Sequence, residues 1–270
     1  MKPTQLRTGP IKAIQVQLGH RRITRAHVAM NIDAAVIDNS VIGGTTAAAG
    51  SFTTLTATSN LSVDGGTIKL DGNYPTSTNN VALGDTAGDS LTTGNDNTFI
   101  GHNTGTANTE GDYNTAVGAT SLDANTTGVR NTSIGWSSLG SLTTGNYNTA
   151  LGMQTLDATT TQSNNTAAGY NALNQNTASN NTAVGYESLK ANTTGEYNTS
   201  VGSTSLDACT TGARNTSVGY ASATTLTTGN RNVAMGYNAL GAETTGNYNV
   251  AIGYGSLDAS VTASNNTAVG

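Results

Sequence analysis

From Asn80 onward, polar and apolar positions recur on a fixed beat. The unit Asn-Thr-Ala-Val-Gly and close variants begin at Asn80, Asn97, Asn114, Asn131, Asn148, Asn165, Asn181, Asn198, Asn215, Asn232, Asn249 and Asn266. Every step is 17 residues except Asn165 to Asn181, which is 16, giving eleven complete units and a twelfth start. Disorder needs no register and would not hold one this long. The period fits neither a heptad nor a helix-pair repeat. It suits one turn of a β-solenoid, with two or three short strands joined by tight turns; the expectation is thus of more than one strand per unit. The predicted fold is therefore all-β, a parallel β-solenoid (β-roll) of 17-residue coils over residues 80–270.

Positions are numbered here from the opening Asn. Positions 2 and 4 of the alternating stretch share one face of a strand, and position 3 takes the other. The larger residues stand at position 4, as in Val117, Ile134, Leu151, Val184, Met235 and Ile252. They are expected to fill the interior. Position 3 is small, as in Ala116, Ser133, Ala150, Ala167, Ala183 and Ser200, and Phe99 is an exception. A small residue on every turn is expected to admit a neighbouring chain. A second inward column is predicted at Leu122, Leu139, Leu156, Leu173, Leu189, Leu206, Leu240 and Leu257, with Gly88, Gly105 and Ala223 in its place in three units.

Two further columns carry the expected backbone logic. A Gly closes each five-residue motif, including Gly118, Gly135, Gly152 and Gly185, where a corner tolerates positive φ or close packing. A second Gly follows Thr-Thr in most units. Three units carry Ser-Asn-Asn near that point, at Ser163 to Asn165, Ser179 to Asn181 and Ser264 to Asn266, and Asn is expected to supply the same left-handed bend. The opening Asn residues, including Asn114, Asn131 and Asn148, should form a ladder with a rung spacing of about 4.8 Å, each amide bonding the next.

Composition fits a thin, stacked core. Only 10% of the chain is charged, 35% hydrophobic and 5% aromatic, which is too little for one large apolar core. No run of about 18 apolar residues predicts a transmembrane helix. Lys2, Arg7 and Lys12 are followed by no apolar segment of secretory type. Cys209 is alone, so no intrachain disulfide or cysteine-based zinc site is expected. The net charge of −5 conceals an asymmetry: residues 1–30 hold six basic residues and no acid, and the other 240 hold five basic residues against 16 acids. The basic residues Lys2, Arg7, Lys12, Arg21, Arg22 and Arg25 mark residues 1–36 as a segment that docks on something.

Between that segment and the repeats, Asp64-Gly65 and Asp71-Gly72 are turn signals around a short strand from Thr67 to Leu70. Residues 37–79 read as a connector. The stretch from Ile37 through Asp38-Asn39-Ser40-Val41-Ile42-Gly43-Gly44-Thr45-Thr46-Ala47-Ala48-Ala49-Gly50-Ser51-Phe52 to Leu55 resembles a connector common in bacteriophage tail-fibre and other virion-fibre proteins, with Ala47 where the usual variant has Pro. The repeats from Asn80 resemble the head repeats of trimeric autotransporter adhesins (YadA-like), which also recur in fibres of marine phages. Those resemblances imply a homotrimer of left-handed β-rolls.

Candidate chemistry is sparse. His20, His27 and His102 show no Ser–His–acid or paired-carboxylate spacing, and the chain has no phosphate-binding or dinucleotide fingerprint. Asp123, Asp157, Asp207 and Asp258 recur at one position but not on successive turns, and read as solvated loop carboxylates. Trp136, Tyr170, Tyr186, Tyr220, Tyr237 and Tyr254 follow the corner Gly, and Tyr113, Tyr147, Tyr197 and Tyr248 precede the opening Asn. Such columns pack along a wall or stack on sugars. The basic N-terminus lacks interleaved aromatics, which favours a protein socket over nucleic acid.

The reading that follows is a non-enzymatic structural virion protein: a trimeric phage tail or neck fibre, without cofactor or metal and without membrane insertion. It would be made in the host cytoplasm without a signal peptide and bound through its N-terminus to tail, neck or adaptor proteins. A host receptor would be met by a distal region beyond Gly270, since the chain stops inside a unit. The alternatives are a bacterial surface adhesin of the trimeric autotransporter type and an ice-binding solenoid.

Overall fold

The computed structural model describes residues 78–270. The anchoring residues Lys2, Arg7, Lys12, Arg21, Arg22 and Arg25 and nearly all of the connector 37–79 lie outside the described residues. The described part is all-β, a parallel β-solenoid. Twelve three-residue strands run from β1 (Val81–Leu83) to β12 (Thr267–Val269), one per unit and in sequence order in a single sheet. Each pairs in parallel with the next, in register: Thr115 with Thr132, Ala116 with Ser133, Val117 with Ile134. Eleven steps at about 4.8 Å give a stack on the order of 50 Å long.

Coil-to-coil bonding extends well beyond the strands. The position-9 amide donates to the position-8 carbonyl of the next coil, as Leu122 to Ser138 at 3.0 Å, and Thr126 donates to the Thr143 carbonyl at 2.8 Å. Polar composition is thereby reconciled with a closed wall, because the backbone groups are satisfied between rungs. Four positions per coil take positive φ. In the coil that opens at Asn131 these are Gly135 (φ 139), Ser137 (φ 52), Leu139 (φ 50) and Tyr147 (φ 58).

The strand faces the opposite way to the expectation. Position 3 is the interior: Ala116, Ser133, Ala150, Ala167, Ala183 and Ser200 are fully buried within the single chain. Position 4 points outward, with Leu83, Ile134, Leu151, Val184, Met235 and Ile252 between 38% and 42% exposed. The reason is the narrow lumen. Ser121 Oγ donates to Ser133 Oγ at 2.8 Å, and Ser133 Oγ donates to the Ser138 carbonyl at 2.7 Å. Strand and opposing wall thus meet at Cβ range, and the small residue marks close approach inside one coil, not a neighbouring chain.

Phe99 shows the same rule from its exception. It is fully buried, and a Cβ built on Gly105 would lie 2.6 Å from its ring. The first two coils lack the inward leucine, and this one ring fills the space that Gly88 and Gly105 leave. The inward column itself is as predicted: Leu122, Leu139, Leu156, Leu173, Leu189, Leu206 and Leu240 are fully buried.

A further buried column lies at position 12, and nothing in the repeat pattern marked it. Its members include Leu91, Asn108, Asn125, Leu142, Thr159, Cys209 and Glu243. Here also the 16-residue unit is accommodated. Asn176 Nδ2 reaches the Ala178 carbonyl two residues on, where Asn192 Nδ2 reaches the Gly195 carbonyl three residues on. The turn is one residue shorter, and Thr166–Ala168 still pairs in step with Thr182–Val184.

Candidate functional site

Three features carry the architecture toward a role: the Asn ladder, the outward strand face and the aromatic columns beside it. In the ladder, each Asn Oδ1 accepts the backbone N–H of the Asn one coil on, as Asn114 from Asn131 at 2.9 Å and Asn131 from Asn148 at 3.0 Å. Each Nδ2 crosses its own coil to the position-15 carbonyl, as Asn114 to Gly128 at 2.8 Å and Asn148 to Gln162 at 2.9 Å. The amide therefore hooks one rung to the next and braces its own rung. Direct amide-to-amide bonds are longer, as Asn148 Nδ2 to Asn131 Oδ1 at 3.2 Å.

The two glycine columns differ in cause. Gly118 (φ 128), Gly135 (φ 139) and Gly152 (φ 133) need both positive φ and the absence of Cβ, since a Cβ on Gly152 would stand 2.7 Å from the Gly169 carbonyl oxygen. The second column, position 15, is constrained by approach alone: a Cβ on Gly128 would stand 2.5 Å from the Gly145 oxygen. In the Ser-Asn-Asn units this position holds Gln162, Ala178 or Ala263. The left-handed Asn164, Asn180 and Asn265 occupy position 17 instead, where other coils place Tyr, Arg or Asp at φ of 56 to 60. Asn therefore does not replace the second Gly, and the bend lies two residues later.

Outward, the strand face presents one apolar column along the stack. Beside it at position 6 stand Trp136 and Met153, 51% and 41% exposed, and the tyrosines. Tyr170 stacks on Tyr186 at 5.5 Å between ring centroids, and Tyr220, Tyr237 and Tyr254 stack in series at 5.5 Å and 5.0 Å. His102 is an exposed member of this same column. On the other flank, position 17 interleaves tyrosine with arginine: Arg130 lies 5.2 Å and 5.6 Å from the ring centroids of Tyr113 and Tyr147.

The acidic positions are dispersed. Asp157 Oδ1 accepts Ser137 Oγ at 2.9 Å, and Asp207 Oδ1 accepts Thr224 Oγ1 at 2.7 Å. Burial holds the Asp123 carboxyl above the usual carboxylate range. Lys190 bonds Glu187 at 2.8 Å, lowering the acid's pKa and raising the amine's. Burial pushes the Cys209 thiol up to about 12. Among the described residues, no three His, Cys, Asp or Glu side chains gather where they could hold a metal ion, and no helix is long and apolar enough to cross a membrane. No protein-family model, curated protein or solved structure matches this chain.

Proposed function

We propose that the protein is a homotrimeric virion fibre of a bacteriophage tail or neck, anchored by its basic N-terminal segment and using the solenoid as a stiff arm toward the host. The observation that supports this most is the outward strand face. A single chain leaves Leu83, Ile100, Ile134, Leu151, Val184, Met235 and Ile252 between 36% and 42% exposed along one side of the stack, and aligned exposed apolar side chains mark an association site. Three such rows meeting on one axis would bury what each chain alone cannot. The charged position-17 column would stay at the rim, as interface cores are depleted in charge.

An ice-binding reading would have to rest on the exposed second threonine of each pair, as Thr127, Thr144 and Thr194, because the first spends its hydroxyl along the wall. Thr126, Thr143 and Thr193 each turn a side-chain hydroxyl onto the next coil's carbonyl, at 3.1, 3.1 and 3.0 Å, instead of presenting it to solvent. The direct test is a reconstruction of purified particles together with sedimentation of the isolated chain. The expected results are three copies about one axis of the particle and a solution mass three times 27.2 kDa. A monomer in solution rejects the trimer, and a trimer located on a bacterial surface instead of a particle transfers the arm to an adhesin.

A further inference from the structure

The cations of the described residues are not scattered. There are four against 12 acids, and three of the four, Arg130, Arg214 and Arg231, stand at position 17, all exposed. Each lies over a tyrosine of the same column. Arg130 sits between Tyr113 and Tyr147, Arg214 lies 5.3 Å from the Tyr197 ring centroid, and Arg231 lies 5.2 Å from that of Tyr248. Along the stack the order is Tyr–Arg–Tyr in one place and Tyr–Arg–Arg–Tyr in the other. Arg130 also donates to the Tyr147 hydroxyl at 3.0 Å, and Arg231 to that of Tyr248.

The bracketing rings have a physical consequence. A free surface arginine loses rotamer freedom when it binds; a guanidinium already held against one ring, as Arg214 and Arg231 are, or between two, as Arg130 is, has less to lose. Its remaining N–H donors form a planar fork suited to a carboxylate. Coil spacing places the backbones of the two neighbours, Arg214 and Arg231, about 4.8 Å apart. A polymer that repeats its carboxylates can meet this pair and the more distant Arg130 together, as an isolated anion cannot, and the tyrosine edges offer apolar contact to sugar rings.

We propose that Arg130 and the Arg214–Arg231 pair, each backed by tyrosine, bind the carboxylates of an acidic polysaccharide lying along the solenoid. The proposal does not depend on what the protein is attached to. Binding of polygalacturonate to the full chain tests it, with dextran as the neutral polymer. Polygalacturonate should bind, more weakly as salt rises, and dextran should not. The triple variant R130N/R214N/R231N should lose at least about tenfold in affinity, and the lysine triple at least about threefold, since an ammonium keeps the charge without the fork. Asn suits the backbone there, because Asn164, Asn180 and Asn265 hold the same position at φ 61 to 65.

A second measurement needs no variant. Polygalacturonate should protect Arg130, Arg214 and Arg231 from phenylglyoxal, read residue by residue by mass spectrometry. Equal affinity in the Asn variant, or protection of Arg7, Arg21, Arg22 and Arg25 alone, would assign the polymer to the basic N-terminus and overturn the proposal. So would polygalacturonate binding no tighter than dextran.

Discussion

Two buried columns face each other across every coil, and they obey different rules. Position 1 is Asn in all twelve units. Position 12 is Leu, Asn, Thr, Cys, Glu or Ser. The difference lies in what else could do the work. The opening Asn makes two bonds, and the one between coils has no substitute: Asn114 Oδ1 receives the Asn131 N–H, while its Nδ2 reaches the Gly128 carbonyl. When position 12 is Asn it reaches that same carbonyl, as Asn125 does at 3.1 Å, and merely duplicates a bond already made. In the coil that opens at Asn131, position 12 is Leu142, and the Gly145 carbonyl is still met by Asn131 at 2.9 Å. Redundancy frees one column and uniqueness fixes the other.

The amides at position 12 even carry a cost. Asn125 Nδ2 donates to Asn108 Oδ1, and Asn192 Nδ2 to Asn176 Oδ1 at 2.7 Å. Each short ladder then meets Leu142 or Cys209, and the last carbonyl oxygen, on Asn125 and on Asn192, is buried without a partner.

Five variants would break or sharpen this contrast. The largest effect is expected on the position-1 side, at its corner glycine. Gly185 has φ 137, and an added Cβ would lie 3.1 Å from the Ser203 nitrogen while pressing on the Gly202 carbonyl. Gly185→Val should lower stability by about 3 kcal/mol or more, as strain and clash combine. An unchanged melting temperature would remove the corner from the account.

Next, Asn148→Ala should strand the Asn165 amide and the Gln162 carbonyl, each costing about 1–3 kcal/mol where burial is complete. The paired variant N108L/N125L should stay within about 1 kcal/mol of the parent, since removing both partners of a buried bond is close to neutral. Equal losses in chemical denaturation would erase the distinction between the columns.

A smaller effect is expected at Cys209. Its thiol is held up to about 12 from 9.0 by burial, so the folded state keeps a proton that the unfolded chain releases. That contribution is complete below about pH 9 and is lost as pH rises toward 12. Cys209→Ser should flatten the alkaline limb of a stability–pH curve, and a thiol reagent at pH 8 should label Cys209 only on unfolding. Rapid labelling of the native protein would show that this column is open.

Smallest of all is Glu243→Leu. Glu243 Oε1 accepts the N–H groups of Thr244 at 3.1 Å, Thr245 at 3.2 Å and Gly246 at 2.6 Å, and Oε2 accepts Ser260 Oγ at 2.9 Å. The equivalent coil around Leu142 needs no such acceptor, so the change should stay within about 1 kcal/mol by calorimetry. A loss comparable to that of Asn148→Ala would make position 12 as demanding as position 1.

What the sequence disclosed followed from repetition of identity. The 17-residue beat, the Asn ladder and the leucine column each show one residue type at one interval. The facing of the strand was hidden, because position 3 is mostly Ala or Ser beside an apolar position 4, and alternation alone names no inside. Residue size pointed the wrong way, since lumen width is set by backbone approach that only the closed coil reveals. Position 12 was invisible for the opposite reason: Leu91, Asn108, Thr159, Cys209 and Glu243 share burial but no chemistry. The outward apolar column was read in the right residues and assigned to the wrong side.

The short sixth coil has a consequence of its own. Its missing residue is taken up in one turn, and neither the Asn165 to Asn181 bond at 3.0 Å nor the strand register shifts. The molecule therefore counts its reach in turns of the winding and not in amino acids. That bend absorbs a change in chain length: a residue is lost there while the strand and the Asn ladder keep their alignment.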